Sequence, residues 1–92
     1  MYRITIACRG LCEEDGREGP AAVIEEFKER PWHTDVTCEW SSGVLRMAAT
    51  NDYDPDGQAL LDEYWDAVFG CVLNRSKEGG SFDIESVVEI DG

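Results

Sequence analysis

Thr34-Asp35-Val36-Thr37-Cys38-Glu39-Trp40, then Ser41-Ser42-Gly43, then Leu45-Arg46-Met47-Ala48-Ala49 is the stretch on which the fold turns. Thr34, Val36, Cys38 and Trp40 alternate with Asp35, Thr37 and Glu39, and Leu45, Met47 and Ala49 alternate with Arg46 and Ala48. That is the period-2 signature of two half-buried strands, and the Ser-Ser-Gly break between them makes a hairpin. Since the hairpin sits in mid-chain, the fold depends on what flanks it.

Upstream, Tyr2, Ile4, Ile6 and Cys8 alternate with Arg3, Thr5 and Ala7, which predicts a first strand. Residues 9 to 19 carry three glycines and four acids without a period and read as a long surface loop. Pro20 opens a helix in which Val23, Ile24 and Phe27 lie opposite Glu25, Glu26 and Glu29; it ends before Pro31. Downstream, Asn51-Asp52-Tyr53-Asp54 leads into Pro55. Leu60, Leu61, Tyr64, Trp65, Val68, Phe69, Val72 and Leu73 then form the wide apolar stripe of a well-buried helix. Asn74 to Gly80 is a turn-rich break. Phe82, Ile84, Val88 and Ile90 alternate with Asp83, Glu85 and Glu89 in a last strand, with Ser86 and Val87 out of pattern.

Strand, helix, strand, strand, helix, strand uses up the whole chain as a single domain, 1–92. The expected class is α+β, a ferredoxin-like βαββαβ with a four-stranded antiparallel sheet in order 4-1-3-2 and both helices on one face. A domain of this length buries roughly 60–65% of its unfolded surface, enough for one two-layer core and little room for a deep cleft.

Twenty acidic residues stand against eight basic ones, a net charge of −12. With 42% apolar residues the chain folds in spite of that charge, but a nucleic-acid backbone is repelled. The expected open sheet face carries Arg3, Thr5, Ala7, Asp35, Thr37, Glu39, Arg46, Ala48, Asp83, Glu85, Val87 and Glu89. It offers no aromatic ring for a base to stack on, so RNA binding of the ferredoxin-like kind is not expected. No run is apolar enough for a signal peptide or a membrane span, which leads to the expectation of a cytoplasmic protein with no membrane partner. Cys8, Cys38 and Cys71 fall at core positions and Cys12 in the first loop; all four read as thiols without a metal or other cofactor.

The acids gather at two ends. Glu13, Glu14, Asp15 and Glu18 lie in the first loop, partly offset by Arg9, Arg17, Arg75 and Lys77; Asp52, Asp54, Asp56 and Asp91 lie at the opposite end with no basic neighbour in sequence. Asp52-x-Asp54-x-Asp56-Gly57 with Glu63 also fits the calcium-loop spacing, though Leu60 stands where a polar group is expected and a strand precedes the loop. The preferred reading is a helix start, with Asp54 as cap, Pro55 opening the helix, and Asp56 and Glu63 as ordinary helix carboxylates, Glu63 an exposed one. His33 is read as a solvent-facing turn residue, and Trp32 beside it as a binding anchor.

No catalytic signature emerges, so the expected protein is non-enzymatic and docks on a basic partner through Glu13, Glu14, Asp15, Glu18, Trp32, Asp52, Asp54 and Asp56. In size, charge and topology it is similar to small acidic phage-encoded inhibitors such as anti-CRISPR proteins and DNA mimics, an analogy without a shared motif. That analogy implies competition with nucleic acid for a nucleic-acid-binding protein. The alternatives are a stand-alone regulatory or housekeeping domain acting as a homodimer, and a calcium or magnesium binder using Asp52, Asp54, Asp56 and Glu63.

Overall fold

The computed structural model describes residues 1–72 and 81–90. It contains β1 (Tyr2–Arg9), α1 (Glu13–Phe27), β2 (Thr34–Ser41), β3 (Val44–Asn51), α2 (Gln58–Ala67) running into a π-helical turn (Val68–Val72), and β4 (Ser81–Glu89). The strands form one antiparallel sheet in the order β2-β3-β1-β4, the expected 4-1-3-2 order read from the other edge. Ile4, Ile6 and Cys8 from β1 and Leu45, Met47 and Ala49 from β3 meet Val23 and Phe27 of α1 and Leu60, Tyr64 and Ala67 of α2 in one core. Both helices therefore cover the same face, as a ferredoxin-like α+β fold requires.

The central hairpin closes in two residues, since Ser41 pairs with Val44 and Ser42 and Gly43 both take positive φ, 52° and 78°. Two left-handed residues match the right-handed twist of the strands. The break in the last strand's pattern has a physical cause. Ile6 pairs with Ile84 but Thr5 pairs with Ser86, so Glu85 is the extra residue of a bulge. Beyond it the faces exchange: Val87 lies opposite Ile4 and packs on the core, while Val88 lies opposite Arg3 and is exposed. Val87 is thus not on the open face, as simple alternation had it.

A second correction concerns α1, which starts at Glu13 rather than at Pro20. Its inner stripe is Gly16, Gly19, Val23 and Phe27, all buried, at helical spacing. Two of these four have no side chain, so an apolar period cannot reveal them. The glycines are there because α1 lies directly on the sheet. A Cβ on Gly16 would come within 2.4 Å of the Trp40 ring, and one on Gly19 within 2.9 Å of Leu45. Pro20, inside the helix, has no N–H to donate, and packing carries the helix across it.

In α2 the buried positions are Leu60, Tyr64 and Ala67, continued by Val68; Trp65 and Phe69 are exposed, contrary to the expected stripe. The core needs only the side of the helix that carries Leu60 and Tyr64, and Tyr64 fixes that side by donating its hydroxyl proton to the buried carbonyl of Leu45 at 2.7 Å. The expectations for the side chains of Cys71 and Val72, for Leu73, for the 74–80 segment with Arg75 and Lys77, and for Asp91 lie outside the described residues. Among the described residues no helix is long and apolar enough to cross a membrane.

Candidate functional site

The end of the molecule formed by the start of β1, the end of β3 and the start of α2 is organised by buried side chains. Asn51, the last residue of β3, accepts the N–H groups of Tyr53 at 3.2 Å and Asp54 at 3.0 Å, which turns the chain back toward the core. Asp54, only 3% exposed, accepts from the N–H of Ala59 at 3.2 Å and of Leu60 at 2.9 Å, and Asp56 accepts from Gln58 at 3.1 Å. The first three N–H groups of α2 are thereby satisfied by two aspartates placed ahead of it. Gly57 makes the turn possible with a φ of 79°, so α2 opens at Gln58 rather than at Pro55, and Asp56 lies ahead of the helix instead of inside it.

The same geometry spreads the calcium-loop residues apart. Asp54 and Asp56 are engaged as caps, and Glu63 is engaged with Trp32 and His33. Among the described residues no group of three His, Cys, Asp or Glu side chains is placed to hold a metal ion.

Glu63 is not the exposed carboxylate expected of it. One oxygen accepts from Trp32 Nε1 at 3.2 Å and lies 3.6 Å from Arg30 Nε; the other is hydrogen-bonded to His33 Nε2. His33, expected on a solvent-facing turn, is 5% exposed and packs between the rings of Phe27, Trp32 and Tyr53. Asn51 Nδ2 lies 3.4 Å from His33 Nδ1, so that nitrogen accepts and Nε2 carries the proton donated to Glu63. Tyr53 sits over this pair, its phenol raised in pKa by burial first and then by the negative Glu63 and Asp54. His33 thus ties α1, the connection after it, the end of β3 and α2 together. Both of its ring nitrogens have protein partners.

Outside this buried pair opens a groove of about 430 Å³ lined by Glu26, Glu29, Arg30, Trp32, Glu63 and Asp66. Among the described residues Arg30 is its single basic wall. It bridges Glu26 at 3.2 Å and Glu63 at 3.6 Å and stacks over Phe27, so its charge is already shared. Glu29 and Asp66 are exposed and make no ion pair among the described residues. Trp32 is 49% exposed with its N–H pinned by Glu63, which holds the indole at the groove in a fixed orientation.

Of the residues expected to meet a partner, Glu13, Glu14 and Glu18 are exposed on the first turns of α1, with Glu13 paired to Arg17 at 3.0 Å. Asp15 is fully buried and Asp54 nearly so; neither is part of the surface. The helix dipole favours a carboxylate in the first turn of α1, where Asp15 stands. Asp52 and Asp56 are exposed, at the opposite end of the sheet from Glu13. Trp32 is exposed as expected. Sequence reasoning missed Glu26, Glu29, Asp66 and the roles of Arg30 and Glu63 as groove walls. The one available signal was that Glu63 stands three residues after Leu60 and four before Ala67, on the half-buried flank of α2.

The four cysteine expectations divide similarly. Cys8 lies in the core, Cys38 packs against it, and burial raises their thiols to about 11 and about 12, with Glu39 adding to the shift of Cys38. Cys12 is half-buried at the start of α1.

The open sheet face carries its own neutralisation. Arg9 pairs with Asp83 at 2.9 Å, and Arg46 forms a two-point pair with Glu85 at 2.5 and 3.0 Å, which holds that carboxyl below its ordinary range. Arg3 donates to the carbonyl of Asp35 at 2.6 Å and to Thr50 at 3.1 Å.

No protein-family model, no curated protein and no solved structure matches this chain.

Proposed function

We propose that this chain is a small binding protein that docks through its carboxylates on a basic protein surface. The observation that carries the reading is the groove in which Glu26, Glu29, Glu63 and Asp66 converge around the exposed Trp32 while the one arginine present is already paired. A concave acidic wall with an oriented indole suits a lysine or arginine side chain, whose aliphatic stem lies on the ring and whose charge meets the carboxylates. A field of −12 steers such a partner to the surface rapidly and in a salt-dependent way.

The finer form of the proposal is that the partner is a nucleic-acid-binding protein and that this chain competes with nucleic acid for it, as the analogy with anti-CRISPR inhibitors implies. Size, charge and topology support it. The edges of the sheet disfavour the homodimer alternative by strand pairing. β2 is interrupted by a register shift with Asp35 at a φ of 51°, and β4 by its bulge at Glu85.

The test is a pull-down with the tagged protein followed by elution with duplex DNA or with salt. A basic partner released by both, and bound about tenfold more weakly by a Trp32→Ala, Glu29→Lys variant, is the expected result. Capture that is indifferent to salt and to these substitutions would remove the reading.

A further inference from the structure

The net charge is unevenly divided between the two layers. α1 with the three residues that follow it, and α2, hold ten acids against three basic residues, Arg17, Lys28 and Arg30, a net of −7. The four strands hold five acids against three arginines, a net of −2. The arginines of the strands also bind acids or backbone carbonyls on their own face, so the sheet surface is close to electrostatically self-sufficient. On the helical layer Arg17, Lys28 and Arg30 are taken up by Glu13, Glu25, Glu26 and Glu63, whereas Glu29, Asp62 and Asp66 are exposed and make no ion pair among the described residues.

That same surface carries two exposed aromatics. Trp65 and Phe69 are 47% and 42% exposed, and their rings stack on each other with centroids 4.1 Å apart at 30°. The pair is apolar, and Asp62 and Asp66 each stand one helical turn before a member of it. Stacking hides one face of each ring and leaves the other in water, where covering it releases apolar hydration. Asp66 connects the pair to the groove, since it also lines the groove with Trp32.

We infer that the outer surface of the helical layer, not the open sheet face, is the docking surface, and that its occupant is a basic protein surface with an apolar centre. The Trp65–Phe69 pair is the anchor, and Asp62, Asp66 and Glu29 receive the partner's lysines or arginines around it. This rests on the binding role proposed above and adds the face and the partner's chemistry. Charge complementarity selects a cationic occupant, and the aromatic pair demands more than charge. The arrangement is that of an interface with an aromatic centre and a charged rim.

The experiment measures binding of two synthetic probes at 0.15 M salt by calorimetry and nuclear magnetic resonance. One is an amphipathic leucine–arginine helical peptide, the other an oligoarginine of equal charge. Three charge- or ring-altered variants are compared after checking that each melts cooperatively: Asp62→Lys with Asp66→Lys, Trp65→Ser with Phe69→Ser, and, matched in charge to the first, Glu39→Lys with Asp83→Lys on the sheet face. The expected result is that the amphipathic probe binds more tightly than oligoarginine and shifts the indole N–H signals of Trp65 and Trp32 but not of Trp40. Both helical-face variants should then lose about tenfold or more in affinity while the sheet-face variant stays within about twofold. Equal loss in the two charge-matched variants, or indifference to the loss of the aromatic pair, overturns the docking face and leaves the broader binding role standing. Failure of the unaltered protein to bind either probe overturns the binding role itself. A wild-type dimer that the Trp65→Ser, Phe69→Ser variant dissolves would show a second copy on the pair and overturn the assigned occupant.

Discussion

At the scale of single residues, two of the four acids that the calcium-loop spacing grouped together, Asp54 and Glu63, have separate structural duties. Asp54 holds two N–H groups of α2 from a buried position, so Asp54→Ala should destabilise the protein by about 2 kcal/mol, the upper end for a lost cap. Glu63 accepts from Trp32 and His33 and faces Arg30, so Glu63→Ala should cost about 1–3 kcal/mol by leaving a buried imidazole N–H without its acceptor. Urea denaturation of both variants checks these values. Losses below a few tenths of a kcal/mol would mean that the caps and the His33–Glu63 pair are replaceable by water. Glu63→Ala should also abolish the pinning of Trp32, visible as broadening or movement of its indole N–H signal. Adding millimolar calcium should raise the melting temperature of wild type and Glu63→Ala alike. A rise confined to wild type would restore the cation reading.

At the scale of elements, α1 shows how tertiary contact overrides local propensity. Glycine costs a helix about 1 kcal/mol relative to alanine, so Gly16→Ala and Gly19→Ala would stabilise an isolated α1. In the folded protein a Cβ at Gly16 would overlap the Trp40 ring, and relieving this means lifting α1 off β2. Gly16→Ala should therefore destabilise by about 1–3 kcal/mol. Gly19→Ala should cost less, because what it meets is the flexible end of Leu45. Denaturation midpoints of the two variants test this order; stabilisation by Gly16→Ala would mean that α1 does not lie so close to the sheet. Gly57 has a different reason for being glycine, since its positive φ starts α2 and its Cβ position is crowded by Ile4 and Ile84.

At the scale of the whole molecule, the Cys8 and Cys38 thiols and the Tyr64 phenol should make stability fall at alkaline pH. Cys8 and Cys38, ordinarily near 9.0, are raised to about 11 and about 12 by burial, and the Tyr64 phenol is raised from 10.0, also by burial. Folded pKa values above the unfolded ones mean that the folded chain keeps protons which the unfolded chain gives up. Stability is then undiminished below about pH 9 and falls as pH rises toward 12. The urea midpoint at pH 10.5 should lie well below that at pH 8, and Tyr64→Phe should flatten part of the decline even though it loses the bond to Leu45. A midpoint that stays constant up to pH 11 would place these groups in contact with solvent.

The sequence by itself determined the number and order of the elements, the hairpin at Ser42-Gly43 and the antiparallel sheet, because alternation and turn chemistry are local properties that side chains display along the chain. It also marked, through Ser86 and Val87, the place where β4 slips. What only the tertiary structure decided is written in residues that show no period or in pairs far apart in the chain. The stripe of α1 begins with two glycines whose role is close approach to β2 and β3. His33 and Glu63 are 30 residues apart and meet because α1 and α2 share one face of the sheet. Trp65 and Phe69 look like core residues in sequence and become surface because Leu60 and Tyr64 fill the space above the sheet first. Hydrophobicity is a property of each residue, but which apolar side is covered depends on the shape of what it packs against.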